Sequence, residues 1–212
     1  MRVRDVSVIL ALVATPLAAQ AQSNTAIGVF AGGTVPMSNY KDVAKTGWNL
    51  GGYIDFGRGD GPVGFRLDGS YNGFGDKDVI TSSGGTTNIT ISNKYSLLNA
   101  NMNLVVGVPA SGSPIRPYLI GGAGVYYLKN APRCVAGTAC GSLTLSDESV
   151  TKLGVNGGGG LEFGVRGISV FAEARYHYVF DAIPKLSCIG QSGCAKSAAQ
   201  LVPLTIGLTF RP

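Results

Sequence analysis

The stretch Ser169-Val170-Phe171-Ala172-Glu173-Ala174-Arg175-Tyr176-His177-Tyr178 alternates in character from residue to residue. Its even-numbered members are apolar or aromatic, whereas most of its odd-numbered members are polar and include Glu173, Arg175 and His177. Side chains that alternate with a period of two are typical of a β-strand with two unlike faces. The stretch therefore predicts a strand that separates an apolar environment from a polar one.

The same alternation recurs along most of the chain. In each of seven segments the alternate residues of one parity, odd-numbered or even-numbered, are predominantly apolar; we call these the apolar parity and the residues between them the polar parity. The segments are Trp48–Phe56, Val63–Tyr71, Leu98–Val106, Leu119–Tyr127, Leu153–Phe163, Val170–Tyr178 and Val202–Phe210. An eighth, weaker pattern covers residues 25–33, where Ile27, Val29 and Ala31 share a parity but Phe30 falls on the other one. These segments predict an all-β fold with eight antiparallel strands in up-and-down order.

Within the seven clear strands no charged residue falls on the apolar parity; Lys94 has that parity but lies before its strand's apolar run. Four acidic and four basic residues stand on the polar parity, and the single histidine shares it: Asp55, Asp68, Glu162, Glu173, Arg66, Arg116, Lys152, Arg175 and His177. A closed interior needs such a balance, because an unpaired buried charge is costly. We expect these nine residues to form a charge network inside a barrel.

The connections between the strands alternate in length. Residues 34–46, 75–93, 129–150 and 180–200 are long, whereas 57–62, 107–114 and 164–167 are short. Long loops at one end and tight turns at the other are the arrangement of transmembrane barrels. With both termini at the short-turn end, we expect the long loops to face outside the cell. The segment 75–93 is rich in Ser, Thr, Gly and Asn with β-branched residues, and it is suited to extend a hairpin above the membrane.

Aromatic residues of the apolar parity are concentrated at the two ends of the predicted strands. One group falls at the long-loop end and the other at the short-turn end: Trp48, Tyr71, Tyr127, Tyr176 and Tyr178, then Phe56, Phe163 and Phe210. Two aromatic girdles are expected at the two interfaces of a membrane, whereas a soluble lipocalin-like barrel, which buries its apolar face, has no reason to sort them. The sequence therefore favours an eight-stranded transmembrane β-barrel, with the soluble carrier as an alternative.

Composition agrees with a membrane barrel. Charged residues make up 14%, glycines number 32 and the mean hydropathy is +0.22. After the N-terminus no apolar run reaches the about 20 residues that a membrane helix needs. The net charge of +5 is not gathered into a dense Lys/Arg run, so the sequence does not indicate a nucleic-acid partner.

The first 21 residues are typical of an export signal. Arg2 and Arg4 precede a short apolar core from Val6 to Ala14, Pro16 interrupts it, and Ala19-Gln20-Ala21 is a small-x-small cleavage site. We expect cleavage after Ala21, which leaves 22–212 as the barrel domain and directs it to the cell outer membrane.

Four cysteines form two local pairs, Cys134 with Cys140 and Cys188 with Cys194. Of the three possible connectivities, the local one needs the least rearrangement of the chain, and export makes disulfides plausible. A metal site is the alternative, but this spacing is uncommon for zinc and the histidine is not adjacent to either pair. We predict two disulfides, one in each of the last two long loops.

Three segments carry a family resemblance. The stretch Arg116–Tyr126 resembles the fifth strand of the small outer-membrane β-barrel domain family, which is OmpX-like and also similar to the OmpA transmembrane domain. Gly158–Gly164 and Phe171–Tyr178 resemble its sixth and seventh strands. The last strand, Leu204–Phe210, looks like the signal that the barrel-assembly machinery reads, although family members often end on an aromatic residue and this chain ends Phe210-Arg211-Pro212. The resemblance implies outer-membrane lipid, lipopolysaccharide and that machinery as partners.

Function is expected in the loops, where a structural or surface-interaction role with an extracellular ligand is the first hypothesis. A narrow channel for ions or small solutes is the alternative. A lipid-modifying enzyme that uses His177 is less favoured, because Val179 stands where the deacylases that it would resemble carry a serine. We expect no enzymatic activity, no cofactor and no metal.

Overall fold

The computed structural model describes residues 25–57, 61–83, 87–108, 114–136, 140, 147–165, 167–184 and 196–211. The expected signal peptide and the pair Cys188 and Cys194 lie outside the described residues. The strands are β1 (Thr25–Met37), β2 (Lys45–Phe56), β3 (Val63–Gly75), β4 (Lys77–Ser83), β5 (Thr87–Gly107), β6 (Ile115–Ala136), β7 (Glu148–Val165), β8 (Ile168–Pro184) and β9 (Lys196–Phe210). A 3-10 helix, η1 (Ser38–Asp42), joins β1 to β2. No helix in the described part of the chain is long and apolar enough to cross a bilayer.

Eight of the strands close into an antiparallel barrel. Each wall strand pairs with its sequence neighbours, β3 pairs with β5, and β1 pairs with β9, so that the ring has no open edge. The ninth strand, β4, pairs with the outer part of β5 as a hairpin, from Lys77 opposite Asn93 to Ser83 opposite Thr87. The predicted eight-stranded fold and the hairpin in segment 75–93 are confirmed.

The strands are longer than the alternation alone predicted. A membrane crossing needs about 9–11 residues, but β5 has 21 residues, β6 has 22 and β7 has 18. The added residues lie at the long-loop end, so that much of segments 129–150 and 180–200 is strand rather than loop. Antiparallel pairing continues beyond the bilayer, where no lipid requires one face to be apolar, and the sequence pattern weakens there.

The two faces point as predicted for a membrane barrel. Leu119 and Ile206 of the apolar parity are 69% and 68% exposed on the outer wall, whereas Arg66 of the polar parity is 1% exposed in the lumen. A lipocalin-like barrel would have the reverse arrangement. Phe30, which broke the pattern of β1, points inward and packs against Tyr53 and Phe171.

Several glycines on the inward face make room for large neighbours. A Cβ at Gly160 would lie 2.5 Å from Cζ of Tyr118, and one at Gly28 would overlap the Tyr53 ring. Cβ atoms at Gly122 and Gly124 would likewise meet the amide oxygens of Asn103 and Asn101. Part of the high glycine content therefore lets eight strands enclose a lumen filled with aromatic and amide side chains.

Candidate functional site

Five of the predicted lumen charges form one connected cluster, the central charge network: Asp55, Arg66, Asp68, Glu173 and Arg175. Arg66 on β3 donates to both carboxylate oxygens of Asp55 on β2, at 2.6 and 2.9 Å, and its Nη1 donates to Glu173 on β8 at 3.0 Å. Arg175 donates to Glu173 at 2.5 Å and to both oxygens of Asp68 at 3.0 Å. Each guanidinium thus bridges two carboxylates, which is the compensation that buried charges need.

Aromatic and amide groups complete this network, and the sequence argument did not assign them to it. The Arg66 guanidinium carbon lies 3.7 Å from the centre of the Tyr53 ring, a cation–π contact. Tyr118 donates from its hydroxyl to Glu173 at 2.7 Å, and Asn101 donates to Asp68 at 3.1 Å. Their inward parity was visible in the sequence, but uncharged side chains carry no signal of pairing.

Two of the other predicted lumen residues, Arg116 and Glu162, lie near the short-turn end. Glu162 is buried there, opposite Arg116 in the β6–β7 register, and it is bonded to Arg211. Arg211 also donates to the Ser169 hydroxyl at 2.7 Å, and its backbone N–H donates to the Gly167 carbonyl at 2.8 Å. The Arg211 side chain therefore folds back beneath the lumen at the short-turn end.

Lys152 and His177 occupy the long-loop half of the lumen. Lys152 stands opposite Tyr126 in register and forms no ion pair with the described residues. Nδ1 of His177 lies 2.8 Å from the Tyr126 hydroxyl. Ser70 lines the same small cavity as His177, but its hydroxyl donates to Asn99 at 2.7 Å, and a volume of about 20 Å³ admits no acyl chain. This geometry does not support the hypothesis of a lipid-modifying enzyme.

A second polar cluster, the amide network, lies above the central charge network: Thr34, Asn49, Ser70, Asn72 and Asn99. Asn49 donates to the Thr34 hydroxyl at 3.0 Å, and Thr34 donates to Asn72 at 2.8 Å. Asn72 donates in turn to Asn99 at 3.2 Å. This chain of bonds crosses β2, β1, β3 and β5, and so it ties four wall strands together.

The mouth of the barrel is closed by an apolar cluster, the apolar cap. Tyr40 of η1 is 0% exposed, stacks edge-on against Phe74 and Tyr95, and packs with Leu97, Tyr126, Leu128, Val179 and Leu201 from the wall. Burial raises the pKa of the Tyr40 phenol, so its hydroxyl stays protonated. Lys77 Nζ donates to the Lys41 carbonyl at 2.7 Å and Asn39 donates to Ser197 at 2.8 Å, which pins η1 over the mouth.

The sequence contained a signal for this cap. At the long-loop end, apolar residues occur in direct succession, as in Leu97-Leu98, Tyr126-Tyr127-Leu128 and Tyr178-Val179-Phe180. Successive apolar residues on a strand lie on opposite faces, so the inward face is also apolar at that level. Nothing in the pattern indicated that Tyr40, from a connection, would fill the space.

The predicted girdle aromatics lie on the outer wall at the two ends. Trp48 and Tyr71 pack with ring centres 5.5 Å apart, Tyr178 contacts Phe180 at 5.3 Å, and Tyr176 donates to Gln200 at 2.8 Å. At the short-turn end Phe56 faces Phe65 in register, a residue that was not assigned to the girdle, and Phe163 and Phe210 are both 42% exposed. Tyr127 is 41% exposed at the long-loop end.

Beyond the long-loop girdle the strands continue as an ordered outer sheet made of β4 and the outer parts of β5 and β6. The predicted disulfide between Cys134 and Cys140 is confirmed, with their Cα atoms 5.6 Å apart. Lys129 Nζ lies 2.7 Å from the Asp147 carboxylate, which raises the pKa of that ammonium group. At the long-loop end the chain therefore presents a sheet that is fixed by a disulfide and an ion pair, rather than only loops.

Comparison with known proteins gives the same architecture. Residues 7–198 match the family profile described as the outer membrane protein beta-barrel domain. Neisserial surface protein A is similar to the chain with a TM-score of 0.59 and 14% identity, over 90% of this chain and 98% of that one. A major outer membrane protein from Thermus thermophilus is similar with a TM-score of 0.56 and 16% identity, over 88% and 98%. No curated protein matches the sequence. At these identities the structural likeness concerns the fold.

Proposed function

The chain belongs to the outer membrane protein β-barrel domain family, and on that premise we propose that it is a closed, non-conducting barrel whose long-loop end is a surface for interaction. The observation that carries the proposal is the apolar cap. Tyr40 is fully buried in the mouth, so an ion entering from that side would have to pass an apolar plug before it reached the amide network in the lumen. Moving a charge into such a region is costly.

The lumen beneath the apolar cap supports the same conclusion. The central charge network spans the barrel from β2 and β3 to β8, with each guanidinium fixed by two carboxylates. Arg211 and Glu162 fill the short-turn end. Eight strands enclose an interior just wide enough for side chains. The apolar cap, the central charge network and the Arg211–Glu162 pair occupy that interior, so they leave no open path for ions.

The outer sheet supports the interaction role. The β4–β5 hairpin and the outer half of β6 are held by backbone pairing, with one register shift between Thr90 and Ile91, and the Cys134–Cys140 disulfide closes the end of β6. Binding residues are often carried by connections that a rigid scaffold positions. A sheet that is fixed on a membrane-spanning barrel presents a surface with little loss of conformational entropy on binding.

Conductance measurements test the first half of the proposal. The purified barrel, whose folding is verified by its heat-dependent shift on gels, is reconstituted into vesicles that are then fused with planar bilayers, beside a large porin reconstituted in the same way as a positive control. We expect no discrete current steps from the wild type, and none from Tyr40→Ala, because the central charge network still fills the lumen. Reproducible steps from the wild type would instead establish a channel.

A loop replacement tests the second half. Residues 137–146 and 185–195 are replaced by short Gly-Ser linkers, and bacteria that produce the variant are compared for attachment to cultured epithelial cells. A matched control replaces residues 109–113, in the connection at the opposite end of the barrel. We expect the first variant alone to lose attachment while both remain heat-modifiable. Equal attachment by all three proteins would contradict the surface role.

A further inference from the structure

A small cavity of about 20 Å³ lies in the lumen where the two polar clusters meet. Asn49 and Ser70 line it from the amide network, Asp68, Glu173 and Arg175 line it from the central charge network, and His177 completes its polar wall. All of these side chains point inward from the wall strands. The cavity is therefore a place where polar groups from separate hydrogen-bonded clusters converge.

We propose that this cavity is a binding site for one water molecule, which bridges Asn49 and His177. Asn49 is 2% exposed, its Nδ2 donates to Thr34, and its Oδ1 accepts no bond from the residues that the structure describes. A buried amide oxygen without a donor is costly, and buried water usually supplies the missing bond.

The histidine provides the opposite partner. Nδ1 of His177 is occupied by the Tyr126 hydroxyl at 2.8 Å, so Nε2 is the ring nitrogen that remains for the cavity. When Tyr126 donates to Nδ1, the imidazole is the tautomer that carries its proton on Nε2, which can then donate. The water accepts from Nε2–H and donates one of its protons to Asn49 Oδ1.

Size and charge decide the class of ligand. A cavity of this volume holds a single water, whose site needs only about 10–15 Å³. A cation at this position would lie beside the Arg175 guanidinium, and an anion would lie beside the carboxylates of Asp68 and Glu173, which Arg175 already pairs. A neutral molecule that both donates and accepts fits both neighbours.

The bridge gives the single histidine a structural role. Through Thr34 and Asn72 the amide network reaches β1, β3 and β5, and through Tyr126 the histidine reaches β6. A water between Asn49 and His177 joins the amide network to Tyr126, so that hydrogen bonds run from β1, β2, β3 and β5 to β6 and β8 beneath the apolar cap.

Crystal structures of the detergent-solubilised protein test the proposal, for the wild type, Asn49→Leu and a control, Asn130→Leu. Asn130 on β6 also has a buried amide oxygen without a donor among the described residues, but its Nδ2 donates to Asn93 and it does not line the cavity. In the wild type we expect one peak of density about 2.7–3.2 Å from Asn49 Oδ1 and from a ring nitrogen of His177. The peak is lost in Asn49→Leu and kept in Asn130→Leu.

Two wild-type results would overturn the proposal: a cavity without density, or a peak held by carboxylates at the about 2.0–2.6 Å that marks a divalent cation. If Asn49→Leu does not fold, the wild-type protein alone suffices. A bound water gives a nuclear Overhauser contact between the water resonance and the Asn49 side-chain amide protons, and the absence of that contact would also reject the site.

Discussion

Arg66 on β3 and Glu173 on β8 meet across the lumen at 3.0 Å, although 107 residues separate them in the chain. Their side chains are 2% and 4% exposed. Glu173 also accepts from Arg175 and Tyr118. One carboxylate therefore bridges two guanidiniums and joins opposite walls of the barrel, and both guanidiniums lose one of their two carboxylate partners if its charge is removed.

Removal of that charge should destabilise the barrel. We expect Glu173→Gln to lower the free energy of unfolding by about 1.5–3 kcal/mol, the contribution of hydrogen bonds to a charged group, because Arg66, Arg175 and Tyr118 lose a charged acceptor while Asp55 and Asp68 still pair the two guanidiniums. Urea unfolding in detergent, followed by the heat-modifiable band, measures the change. Asp147→Asn removes a charge from the exposed pair with Lys129 and is the matched control, with no measurable effect expected. Equal stability of the two variants would contradict the role of Glu173.

The space above Gly160 should be essential for the packing of Tyr118. A Cβ there would lie 2.5 Å from the Tyr118 ring, so we expect Gly160→Ala to cost about 1–3 kcal/mol through overpacking. In Gly157→Ala, on the same strand, the new Cβ has no neighbour closer than 3.9 Å, and stability should be retained. The urea midpoints of the two variants measure the difference. A Gly160→Ala barrel as stable as Gly157→Ala would show that both Tyr118 and the Ala172 backbone, whose oxygen would lie 2.7 Å from the new Cβ, can move aside.

Tyr40 should stabilise the apolar cap through its ring rather than through its hydroxyl. The ring packs against Phe74 and Tyr95, but Oη bonds to no described residue. We expect Tyr40→Ala to lose about 3–5 kcal/mol of stability, whereas Tyr40→Phe should be neutral or slightly stabilising, since it removes a buried polar atom. Thermal loss of the unboiled gel band compares the two. A Phe variant that is weaker than the wild type would imply that the hydroxyl has a partner.

Arg211 should stabilise the short-turn end of the barrel. Without its guanidinium, Glu162 and the Ser169 hydroxyl lose a donor, and we expect Arg211→Ala to cost about 1.5–3 kcal/mol, the contribution of hydrogen bonds to a charged group. Amide hydrogen exchange should quicken near the short-turn ends of β8 and β9 and stay unchanged near the apolar cap. Arg211→Lys keeps the positive charge, and its stability should lie between those of the wild type and Arg211→Ala. An equal increase of the exchange rates along the whole of β9 in Arg211→Ala would contradict a local role of Arg211.

The fold and its faces could be predicted because they depend on local periodicity. Lipid outside and a closed lumen inside impose opposite demands on successive residues, so the alternation in a stretch such as Ser169–Tyr178 is enough to predict a wall strand and its outer face. The Cys134–Cys140 pair was also predictable, since only six positions separate its members. These conclusions need no knowledge of which strand lies across the lumen.

Which side chains pair with one another in the lumen could not be predicted from the sequence, because the pairing depends on the tilt and register of the strands around a closed ring. Parity placed Glu173, Arg66 and Lys152 inside alike, but only the assembled barrel brings Glu173 to Arg66 and leaves Lys152 opposite Tyr126. The burial of Tyr40 in the mouth and the return of Arg211 to Glu162 depend on the width of the barrel and on where its chain segments re-enter it. The sequence by itself determined an outer-membrane barrel with a polar lumen. The tertiary structure decided that the lumen is filled and capped, because contacts between side chains on opposite walls are set by the closure of the ring.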